Sequence, residues 1–105
     1  MSASQPKHIN VARDYSRFPA GRYRTDGPFS GQRFREEILK PALDQADVIE
    51  VELDGVSGFG SSFLDEAFGG LVREHVVSLN DAARRIKLRA TDESLVTEIF
   101  GYMGL

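Results

Sequence analysis

Between Val48 and Leu79 the chain alternates apolar and acidic residues (VIEVELDGV), turns through glycines (SGFG), and runs from Ser61-Ser62 into apolar residues spaced by three and four. Period two over Ile49, Val51 and Leu53 dictates a half-buried strand, with Glu50 and Glu52 on the opposite, wetted face. The helical period of Leu64, Ala67, Phe68, Leu71, Val72, Val76 and Leu79 must be buried against that same strand face. The unit is therefore strand, tight turn and helix, and it sets two hydroxyls at a helix N-terminus beyond the carboxyl end of a central strand. The first backbone N–H groups of a helix have no internal partner and lie at the positive end of its dipole. That location suits an anion or a phosphorylated side chain, and it also suits plain capping by the serines themselves.

The other elements arrange themselves around this unit. Residues 1–7 read as a frayed tail. His8 to Arg13 alternates, Ile9 and Val11 to one side, as an edge strand does. Arg17 to Gly31 holds Pro19, Gly21, Gly27, Pro28 and Gly31, which predicts turns around one short strand near Arg22 to Thr25. Ser30 is placed to cap a helix from Gly31 to Ala46 with Phe34, Ile38, Leu39, Ala42 and Leu43 as its stripe, and Pro41 predicts a kink or break inside it. Arg85 to Ala90 alternates with Ile86 and Leu88 inward, and Thr91 or Asp92 caps a last helix carrying Leu95, Val96, Ile99 and Phe100. The order β-β-α-β-α-β-α predicts an α/β (α+β) domain over residues 8–105. Its sheet is mixed and about four-stranded, and its three helices lie mainly on one face. The last two strands become parallel neighbours, Glu50 and Glu52 facing Lys87 and Arg89.

With no cysteine in 105 residues, disulfides, thiol nucleophiles and cysteine metal sites are excluded. No apolar run reaches the roughly 20 residues that cross a bilayer, and the polar start does not read as a signal peptide. The expectation is a cytoplasmic protein with no membrane partner. Charge is uneven: residues 1–40 carry eight Lys/Arg against four Asp/Glu, and the remainder five against twelve. An arginine-rich segment on an acidic domain argues against nucleic acid, which needs a broad basic surface, and leaves room for one local anion.

Motif spelling excludes more. There is no Gly-Lys-Ser/Thr; Phe63 stands where a dinucleotide fingerprint needs a small residue; and Phe59 and Leu64 spoil a Gly-x-Ser-x-Gly elbow at Ser57 or Ser62. His8 and His75 lack ligand spacing, so no metal is expected. Asp65 and Glu66 point about 100° apart on a helix and suit its first turn for dipole reasons alone. Arg22, Arg24 and Arg33, with the Ser30-Gly31 helix start, are a candidate anion site, because guanidinium groups beside a helix N-terminus recognise phosphate; arginine is also common on solvated faces.

The segments AGRYRTDGPFSGQRFREEILKPAL and VELDGVSGFGSSFLDEAFGGLV resemble the small bacterial STAS-like domains of unknown function, over roughly residues 9–100. That family is similar to the STAS domains of anti-sigma factor antagonists and of the cytoplasmic tails of anion transporters, whose sheet of four or slightly more strands is backed by helices. In the antagonists the loop before the second main helix reads Asp-Ser-Ser-Gly, and a histidine-kinase-like ATPase phosphorylates the first serine. The matching positions here are Gly60, Ser61, Ser62 and Phe63, so the resemblance implies Ser61 or Ser62 as phosphoacceptor without the acid and the glycine.

Two readings follow. The first is a non-enzymatic regulatory module without cofactor, binding a protein partner of the histidine-kinase-like ATPase kind through Phe59, Gly60, Phe63, Asp65 and Glu66, and controlled by phosphorylation of Ser61 or Ser62. The second is a small anion- or nucleotide-binding domain using Arg22, Arg24, Ser30, Gly31 and Arg33. An enzyme ranks third, because no set of nucleophile, base and orienting group can be assembled.

Overall fold

Alternation in three segments builds three strands. β2 (Ile49–Glu52) lies between β1 (Lys7–Asn10) and β3 (Ile86–Arg89). The structure is a computed structural model that describes residues 5–105. Lys7 therefore belongs to β1 rather than to a tail, and the expectation for residues 1–4 lies outside the described residues. Both pairings are parallel, with Lys7 opposite Ile49, Ile49 opposite Ile86, and Glu52 opposite Arg89. Among the described residues the sheet thus has three parallel strands, not four mixed ones.

The missing strand is the one expected near Arg22 to Thr25. Asp26 accepts the N–H groups of Arg22 (3.1 Å) and Tyr23 (2.8 Å), so donors that a strand would offer to a neighbour are taken by a side chain. The segment closes into a single 3₁₀ turn, Arg24–Asp26, between Gly21 and Gly27.

Among the described residues five helices replace the three expected. The first, α1 (Val11–Asp14), ends β1 early because Asn10 caps it, its side chain accepting from Arg13 N–H at 3.0 Å; Val11 still reaches the core. α2 spans residues 31–45, and Ser30 caps it as the sequence predicts, accepting from Arg33 N–H at 3.2 Å. Pro41 does not break it. A π-helical turn at Arg35–Leu39, in which Lys40 N–H reaches the Arg35 carbonyl, precedes the proline and widens the helix there.

α3 spans residues 61–73 and also contains a π-helical turn, Asp65–Gly69. It stops well before Leu79, because His75 adopts a left-handed conformation (φ 59°) and Ser78 caps a new helix, α4 (Leu79–Arg85), accepting from Asp81 N–H at 3.1 Å. Val77 is consequently buried and Leu79 lies at the surface, the reverse of a single long stripe. α5 (Glu93–Met103) is capped by Asp92.

α3 packs between α2 and α5, and the three bury Phe34, Leu64, Phe68, Leu71 and Ile99 over Ile9, Val51 and Ile86. The opposite face of the sheet keeps its charges: Glu50 is bridged by His8 Nδ1 (3.3 Å) and Arg89 Nε (3.2 Å), while Lys87 has no carboxylate partner among the described residues.

Candidate functional site

The carboxyl end of β2 leads into a turn containing Gly55, at φ +96°, and then into the start of α3. Gly60, in extended conformation, is the N-cap, and no side chain accepts from the first turn. Ser61 and Ser62 therefore do not cap the helix, as the sequence allowed; they are its first two residues, and both hydroxyls are exposed. Beside them on α5, Tyr102 donates to Glu98 (2.7 Å). The Glu98 carboxylate raises the phenol's pKa, an effect the Ser61 hydroxyl partly offsets. Phe59 is half-buried, its ring 5.9 Å from that of Phe63.

The remaining residues expected to meet a partner point elsewhere. Phe63 is fully buried, packed among Tyr15, Phe34 and Phe59, because it falls on the inner face of the first helical turn. Glu66 is 8 % exposed and belongs to an internal ion pair: Arg35, itself 5 % exposed, donates to its carboxylate at 2.7 Å and also to its backbone carbonyl. Asp65 is bridged by Arg22 (2.9 Å) and Arg73 (2.8 Å). Partial burial pushes the Asp65 carboxyl up, but the two guanidinium groups outweigh it and hold the group below its ordinary value. Of the expected docking set, Phe59 and Gly60 remain at the surface with the two serines, while Phe63 and Glu66 are structural.

The candidate anion site is likewise dismantled. Arg22 spends its charge on Asp65 and, at 3.4 Å, on Glu66; Arg24 bonds Glu36 (2.9 Å) and Glu37 (2.8 Å); Arg33 bonds Glu37 (3.1 Å) and the Pro28 carbonyl. The Ser30 hydroxyl is buried in its capping role, and Gly31 is buried where a Cβ would stand 2.5 Å from the Phe63 carbonyl oxygen. A phosphate would have to displace carboxylates from every guanidinium. What the sequence concealed is that Arg22 and Arg24 pin the 21–28 segment to α3 and α2, and that Arg35 is buried against α3. Its one hint is the Gly69-Gly70 doublet inside an apolar helix, since a side chain at Gly70 would overlap the buried Arg35 guanidinium.

Parallel strands backed by helices, with an exposed serine turn where the central strand ends, define a small α/β module. Among the described residues no cluster of His, Asp or Glu could hold a metal ion, and no helix is long and apolar enough to cross a membrane. The chain belongs to the family described as STAS-like domain of unknown function (DUF4325), whose model matches residues 30–95, from the Ser30 cap into α5. No curated protein and no solved structure gives a significant match.

Proposed function

We propose that this STAS-like domain is a non-enzymatic regulatory module of the cytoplasm that binds a protein partner through Phe59, Gly60, Ser61 and Ser62, and that phosphorylation of Ser61 or Ser62 releases it. The observation that carries the reading is that both serines are exposed and neither serves as a cap, so modification removes no helix-capping bond. A phosphate would add about −1.5 to −2 charge at the positive end of α3, which the helix tolerates. It would add that charge beside a groove already lined by Asp54, Asp92 and Glu98, so a partner that covers the turn would have to bury the phosphate among carboxylates, whereas in the free domain water solvates it. A kinase of the histidine-kinase-like ATPase kind fits as the partner.

The test is a pull-down from the native host with wild-type bait, followed by affinities of Ser61→Ala and Ser61→Asp for the captured protein. Ser61→Asp is expected to keep the far-UV spectrum and melting temperature of the wild type and to weaken binding at least as much as Ser61→Ala. Equal affinity of all three forms would remove the switch.

A further inference from the structure

The two edges of the sheet differ in the charges that flank their outward peptide groups: His8 on β1 is bridged to Glu50, whereas Lys87 on β3 has no carboxylate partner among the described residues. Lys7 N–H donates to the Val48 carbonyl (3.0 Å), so His8 and Asn10 turn their peptide groups outward from β1. At that edge Asp14 accepts the Asn10 N–H at 2.8 Å and the chain curls into α1, so among the described residues only His8 keeps outward peptide groups without a partner. At the other edge, Leu53 N–H donates to the Arg89 carbonyl (2.9 Å), so Arg89 faces β2 and Leu88 turns its N–H and C=O outward. Neither Leu88 group meets a hydrogen-bond partner among the described residues, and only the start of β3 is covered, where Ile86 N–H donates to Ala82 of α4.

Between this open edge and α5 runs a groove of about 390 Å³ lined by Leu88, Arg89, Ala90, Glu93, Val96 and Thr97. The groove lies on the core side of the sheet. On the opposite side stands the exposed Lys87, while Arg89, also exposed, borders the groove and is bridged to Glu50 at 3.2 Å. A strand laid along β3 would thus meet the groove at Leu88 with one set of alternate side chains, and with the other Lys87, which has no carboxylate partner among the described residues, and Arg89, which already holds Glu50.

A second copy of the chain does not fit that description. Pairing two β3 edges antiparallel about Leu88 sets Lys87 of each copy opposite Arg89 of the other, and like charges directly opposed destabilise a sheet. What does fit is the chemistry β3 already accepts on its inner side, where Glu50 and Glu52 of β2 lie opposite Lys87 and Arg89. We propose that the free edge of β3 receives an extended segment of a partner protein, alternating acidic and apolar residues, as a fourth strand. Main-chain bonds to Leu88 supply attachment and the Lys87/Arg89 pair selects the sequence. This surface is separate from the serine turn, so the two proposals stand or fall independently.

The experiment titrates the ¹⁵N-labelled chain with a blocked peptide of the sequence Asp-Val-Ile-Glu-Val-Glu-Leu-Asp, the chain's own residues 47–54, and with a control in which both glutamates are lysine. The acidic peptide should shift amides of residues 86–90, slow hydrogen exchange at Leu88, and bind more weakly as salt rises. The lysine peptide should bind at least about tenfold more weakly, and Lys87→Glu should narrow or invert that preference. If Lys87→Glu does not fold, the comparison of the two peptides decides alone. The proposal is overturned by unchanged amides at 86–90 with millimolar peptide, by equal affinity for both peptides, by shifts confined to residues 57–62, or by Leu88 protection arising from self-association without peptide.

Discussion

Glu66→Ala should be among the most destabilising substitutions in the chain, although residue 66 lies only a few positions from the exposed serines. Its carboxylate is the partner of a guanidinium that is 5 % exposed and pressed against Gly70, where water cannot replace it. Removing one member of a buried pair typically costs about 3–5 kcal/mol, because the other charge is left uncompensated. In Glu66→Ala the backbone carbonyl of residue 66 still accepts from Arg35, so the loss belongs at the lower end, about 3 kcal/mol. Against a total of about 5–15 kcal/mol for a domain, that is a large fraction. Urea unfolding followed by circular dichroism reads it directly: with a slope of about 1–3 kcal/mol per molar, the midpoint should fall by about 1–3 M at unchanged slope. Glu66→Gln, which keeps an acceptor, should lose less. Arg35→Met/Glu66→Leu should be more stable than Glu66→Leu alone, which leaves the buried Arg35 with only the more distant Glu36 carboxylate (3.8 Å). A loss below about 1 kcal/mol in Glu66→Ala, or additive effects in the double variant, would show that the pair is solvated and the reasoning wrong.

Two glycine substitutions should move stability in opposite directions. Gly31→Ala forces a methyl against the Phe63 carbonyl and should lower the melting temperature, by a loss of about 1–3 kcal/mol, whereas Gly101→Ala, at an exposed position of α5 with nothing near its Cβ, should raise it by about 0.5–1 kcal/mol. Thermal denaturation of both variants checks the signs. Tyr15, whose hydroxyl donates to the Ser30 carbonyl at 2.8 Å, has its pKa pushed up to about 12 by burial, with Arg33 pulling the other way. The folded-state value lies above the ordinary 10.0, so its contribution to stability is fully present below pH 10 and is lost as pH rises towards 12. Absorbance titration should show a late phenolate step that Tyr15→Phe removes.

Elements whose signal is local were legible. Ser30 sits immediately before a helical stripe and caps it, and the alternation of Ile49, Val51 and Leu53 and of Ile86 and Leu88 placed two strands side by side in the correct sense. The errors arose where a neighbour overrode the local pattern. Val76 and Leu79 continue the α3 period in sequence, yet Ser78 with Asp81 three residues on is a start signal that outweighs them. Ser61 and Ser62 look like caps because the preceding Gly60 has no side chain to compete, but an extended glycine opened the helix one residue earlier. Arg33 and Glu37 form an i,i+4 pair on α2, but Arg22 and Arg24 look like a phosphate site until their acids, Glu36, Glu37 and Asp65, arrive from 12 to 43 residues away. No spacing rule reports pairing at that range.

The all-parallel connectivity also governs how the chain reaches its native state. No strand is joined to its neighbour by a hairpin: the register partners Lys7 and Ile49, then Ile49 and Ile86, lie roughly forty residues apart. Each pairing must close a long loop before any sheet contact rewards it, so the rate-limiting step should be non-local, and α2 and α3 can form while the strands are still apart. A chain growing from the ribosome cannot complete its sheet until β3 has been synthesised. Until then the apolar faces of β1 and β2 lack their last neighbour, and a nascent chain stalled ahead of Ile86 would be the species most exposed to aggregation.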